Sequence, residues 1–72
     1  MKDQPLSFRL TSLGFVLGNR MKLYGEQFEV AGEPIVVADH LVLVDAIEMK
    51  TGEVKRVRIP LPILKMANDR AA

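Results

Sequence analysis

Apolar residues recur along much of this chain at alternate positions, the period of strands with one buried face. Leu6, Phe8 and Leu10 alternate with Ser7 and Arg9. The phase shifts at Thr11-Ser12, and Leu13, Phe15 and Leu17 carry the alternation on to a turn at Gly18-Asn19. A second strand is predicted from Met21 to Val30, with Gly25 inside it as a bend or bulge. Ala31-Gly32-Glu33-Pro34 breaks the chain, since Pro34 cannot donate to a ladder. The segment Ile35 to Met49 is apolar on both faces, as suits a tightly bent sheet or a subunit interface.

Lys50-Thr51-Gly52-Glu53 reads as a hairpin turn leading into a strand from Val54 to Ile59. Pro60 and Pro62 then allow only a short closing strand or one helical turn over Ile63–Met66. The expected fold is mainly all-β: a small, strongly bent, five-stranded antiparallel barrel. A helix is allowed only in the first ten residues or after Pro62.

Length adds a physical constraint. A chain of 72 residues is one small domain over 1–72, and a core of that size is marginal by itself. Residues 1–12 read as an N-terminal extension and 67–72 as a frayed tail. With no cysteine and one histidine, neither a disulfide nor a thiolate or histidine metal cage can supply extra support. Subunit association is the remaining source. Ten basic and nine acidic residues give a net charge of +1, so affinity for nucleic acid must come from local patches. No apolar signal core follows Met1 and no run is long enough to span a membrane, so a cytoplasmic location without membrane contact is expected.

Two stretches resemble the Sm and Sm-like RNA-binding proteins. Leu41-Val-Leu-Val-Asp45-Ala46-Ile-Glu48 is similar to the end of the first Sm motif, an apolar trio followed by Asp-Ala and Glu. Leu17-Gly-Asn19-Arg20-Met21-Lys22-Leu23-Tyr24-Gly25 resembles the first turn and second strand, and the bacterial members carry a similar Asn-x-x-Lys-Leu-x-Gly run. The resemblance covers Leu13 to Glu48. It implies an Sm-like barrel whose edge strands pair between identical subunits, fourth to fifth, in a ring that binds RNA around its pore. Ring closure would also satisfy otherwise unpaired edges. The family's N-terminal helix is not evident, since Leu6–Leu10 alternates like a strand. The chain departs from the pattern also in a longer loop between the second and third strands, and at three residue positions. His40 stands where the family has a base-holding Asn, Asp39 stands where an apolar residue is common, and Arg58-Ile59-Pro60 replaces the Arg-Gly or Lys-His of the second motif.

The candidate RNA-binding residues are His40, Asp39, Lys55, Arg56 and Arg58. A neutral imidazole can stack on a base and offers a donor and an acceptor, and a histidine at a strand start can equally be a hydrogen-bonded structural group. Arg56 and Arg58 share a strand face and could track phosphates, or could lie paired with Glu48 or Glu53 on a solvated face. Phe15 and Phe28 suit the core, and Tyr24 suits either core or stacking.

Catalysis has little in its favour. Ser7 and Ser12 have no histidine at a telling spacing, and no phosphate loop or zinc motif occurs. Asp39 and Asp45 would lie ~20 Å apart along an extended strand. The expected protein is therefore no enzyme and uses no cofactor or metal. It binds single-stranded RNA as a homo-oligomeric ring, with a protein-interaction barrel as the alternative.

Overall fold

The computed structural model describes residues 6–38 and 40–69. Seven elements follow in order: α1 (Leu6–Ser12), β1 (Arg20–Leu23), β2 (Glu26–Val30), β3 (Ile35–Ala38), β4 (Leu41–Glu48), β5 (Val54–Arg58) and α2 (Leu61–Asp69). The fold is mainly β, a five-stranded antiparallel sheet with two short helices.

The opening segment is a helix, which corrects the expected strand. Leu6 and Leu10 share strand parity, yet they are also four apart and so share a helix face. Both are buried, whereas Phe8, on the other side, is half exposed. The helix stops in a Schellman arrangement. The Gly14 amide donates to the Thr11 carbonyl at 3.1 Å and the Phe15 amide to the Leu10 carbonyl at 3.2 Å. Gly14 has φ +114°, a region open to glycine, and Phe15 and Leu10 are buried in one core.

Met21–Val30 is likewise two strands. Leu23 pairs with Glu26, leaving Tyr24-Gly25 as a two-residue turn. Both turn residues have positive φ, 55° and 78°, as a type I′ hairpin requires. Gly25 is therefore the turn itself and not a bulge within a strand.

The apolar run from Ile35 also splits, into β3 and β4, around a turn that includes His40. β4 is the centre of the sheet. One of its edges carries β2 against Ala46–Glu48 and β3 against Leu41–Leu43, and the other carries β5. β2 and β3 thus form one long interrupted strand, with Ala31–Pro34 looping out between them. β1 pairs only with β2 and β5 only with β4, so the sheet is open rather than closed into a barrel.

Val42, Val44 and Ala46 line the inner face of β4 and join Phe28, Val30, Ile59 and the helical residues Leu6, Leu10, Leu64 and Ala67 in one core. The segment expected as a short closing strand or one helical turn is helical and longer than one turn, α2. The Pro60 carbonyl accepts from the amides of Ile63 and Leu64, at 3.0 and 3.1 Å, and Pro62 falls in the first turn, where an amide would have no partner. Ala67, expected at the start of a frayed tail, is fully buried, and its carbonyl accepts from Arg9 Nε at 2.9 Å. That bond ties α1 to the last turn of α2. Residues 70–72 lie outside the described residues.

Candidate nucleic-acid interface

The five residues singled out from the sequence fall in three places. Arg56 and Arg58 share the outer face of the sheet, opposite Asp45 and Leu43, as strand parity requires. Lys55 points to the other face, opposite Ala46. His40 sits in the turn before β4, and Asp39 lies outside the described residues.

Two of the three β5 cations are neutralised by their neighbours. Arg56 grips Asp45 with two nitrogens, Nε to Oδ1 at 2.9 Å and Nη2 to Oδ2 at 3.3 Å. This hydrogen bonding, with the guanidinium charge adding to it against a smaller opposing effect of burial, lowers the Asp45 pKa and raises that of Arg56. Lys55 Nζ meets Glu48 Oε1 at 2.9 Å. Hydrogen bonds from Lys55 and then Thr51 lower the Glu48 pKa, and the Glu48 contact raises that of Lys55. Both pairs are cross-strand contacts on a solvated sheet, the ordinary use of charges there.

Arg58 differs. Its Nη2 donates to the His40 carbonyl at 3.4 Å, and its own carbonyl accepts from the Tyr24 hydroxyl at 2.7 Å. Residues 34 and 18 positions away are thereby gathered on one strand end. The chemistry also continues onto α2. A groove of about 530 Å³ is lined by His40, Leu61, Pro62, Leu64, Lys65 and Asn68. A second, of about 330 Å³, is lined by Tyr24, Arg58, Pro60, Leu61 and Pro62. Leu61 and Pro62 belong to both, so the two are lobes on either side of one apolar ridge.

Neither Arg58 nor Lys65 has a carboxylate partner among the described residues. An apolar floor, two exposed rings and two uncompensated cations make a surface that can hold a flat ring beside an anion. Lys65 and Asn68 are not legible as groove residues in the sequence, where the two prolines leave the segment open between a short closing strand and one helical turn. Lys65 is four residues from Leu61 and Asn68 four from Leu64, so they become groove residues only once α2 is helical.

A third feature is β3. Ile35, Val36 and Val37 are 38%, 45% and 59% exposed, and among the described residues the outer edge of β3 pairs with no strand. No group of three His, Asp or Glu side chains able to hold a metal is gathered among the described residues. No helix among them is long and apolar enough to cross a membrane. No family model, curated protein or solved structure matches the chain.

Proposed function

We propose that this chain is a non-catalytic, Sm-like binder of single-stranded RNA that works as a homo-oligomer. The observation that carries the reading is Arg58, an arginine without a carboxylate partner among the described residues, whose guanidinium donates to the His40 carbonyl and which shares a groove with Tyr24. Single-strand binders combine cations that follow the backbone with rings on which bases stack. Sequence reading chose His40 and Arg58 separately, and the fold makes them neighbours. In this account Lys55 and Arg56 contribute little, because Glu48 and Asp45 already hold them.

Copies join edge to edge, β3 of one against a different edge of the next, so that the contact propagates into a ring. The pairing is not the fourth-to-fifth one that the resemblance implies, since β4 pairs with β5 within the chain. β3 is the edge best suited to it, since the β1 edge carries Arg20 and Lys22 and the β5 edge Lys55, Arg56 and Arg58. The same uncovered strand is what favours the alternative, a module that captures a partner protein by strand addition.

Binding of a short fluorescent single-stranded RNA, titrated over a range of salt, tests the proposal. Two phosphate contacts per chain predict that log K falls with log salt at a slope near ~−1.4, and Arg58→Ala should bring this to about −0.7. A flat salt dependence, or unchanged affinity in both Arg58→Ala and His40→Ala, would remove the RNA role and leave strand addition as the better account.

A further inference from the structure

The two lobes have different chemistry, and their arrangement around Arg58 says more than that RNA binds. The larger lobe has His40 at its wall and Lys65 and Asn68 at its rim. The smaller has Tyr24, 62% exposed, in its lining with Arg58, Pro60 and Pro62. Both volumes fall within the range of sites that hold small ring systems, about 300–1,000 Å³. Tyr24 is held from both ends. Its backbone is fixed in a two-residue turn at φ 55°, a conformation that side-chain-bearing residues seldom adopt, and its hydroxyl is fixed to the Arg58 carbonyl. A ring so constrained loses little freedom when a base stacks on it. The Arg58 guanidinium uses one of five N–H donors on His40, so the rest can meet a phosphate at the junction between the lobes.

We propose that each chain holds two successive nucleotides, one base in each lobe, with the phosphate that links them on Arg58. The assignment rests on the RNA reading above and adds to it a footprint, a division of labour between rings and a role for Tyr24. Lys65 takes the next phosphate on the His40 side.

Uridine 5′-monophosphate, the dinucleotide UpU and the trinucleotide UpUpU are the probes. Calorimetry gives their affinities. Quenching of the single tyrosine, in a chain without tryptophan, reports stacking at Tyr24 directly. Affinity should rise about 5- to 150-fold from the mononucleotide to the dinucleotide, the step that one more stacked base supplies. The third nucleotide should add less. Tyr24→Asn keeps a residue that favours the turn while removing the ring, and should bring the dinucleotide affinity down to about that of the mononucleotide. A smooth rise with length, or a dinucleotide step that survives Tyr24→Asn, overturns the two-lobe assignment and leaves RNA binding standing. Failure of longer single-stranded RNA to bind at all overturns both.

Discussion

The Tyr24 hydroxyl donates to the Arg58 carbonyl across 2.7 Å, joining the tip of the first hairpin to the end of the last strand. No backbone pairing connects β1 with β5, so this side-chain bond bridges the two ends of an open sheet. It also places a ring beside the one β5 cation that no carboxylate holds.

Removing only the hydroxyl tests the bridging role. Tyr24→Phe should lower unfolding free energy by about 0.5–1 kcal/mol, the lower part of the usual range because the bond is exposed. Urea unfolding measures it. RNA affinity should fall only modestly, since the ring remains and loses one of its two constraints. An unchanged midpoint would mean that the hydroxyl does not brace the sheet.

Acid should weaken the fold through the two cross-strand pairs. The Asp45 and Glu48 carboxyls are held below their ordinary values by hydrogen bonds from Arg56 and from Lys55 and Thr51. A depressed acid contributes stability that is complete above its unfolded value, near pH ~4, and lost as pH falls through the folded value. The Lys55 ammonium, held above its ordinary value, contributes below pH ~10 and loses that contribution as pH rises through its folded value. Denaturant midpoints against pH should therefore show an acid limb that is shallower in Asp45→Asn. The same limb in both proteins would contradict the assignment.

Much of the sheet was legible in the residues. The Lys50–Glu53 turn, the strand from Val54 and the shared face of Arg56 and Arg58 follow from turn chemistry and period two alone. The misread elements share one cause, a local pattern that fits two structures. Leu6 and Leu10 satisfy a strand and a helix equally, and only Gly14-Phe15, the Schellman signal, points to the helix. Gly25 fits a bend or bulge inside a strand as readily as a turn, and tyrosine, which seldom takes positive φ, gives no turn signal beside it. His40 and Arg58 were picked for their chemistry, but their meeting depends on the β4–β5 register, which no local pattern encodes. Lys65 and Asn68 joined the groove through α2, which the two prolines disguised.

Self-association should depend on β3. At moderate concentration, light scattering should give several times the 8.0 kDa chain mass, and Val37→Lys should shift it toward the monomer. A charge on an unguarded edge is the usual means of blocking strand pairing. Leu17→Lys, at a more exposed apolar position outside the strands, is the control and should leave the mass unchanged. A wild type that stays monomeric at every concentration, or an indifferent Val37→Lys protein, would contradict this route to assembly.

The central claim is that one groove, built by a turn, a strand end and a helix, receives single-stranded RNA. Backbone amide shifts of the labelled protein, followed by NMR during titration with a short oligouridine, test it most directly. The account predicts the largest shifts at Tyr24, His40, Arg58 and Lys65, with Lys55 and Arg56 nearly still. Shifts gathered instead around Arg20 and Lys22, or none at saturating RNA, would contradict it.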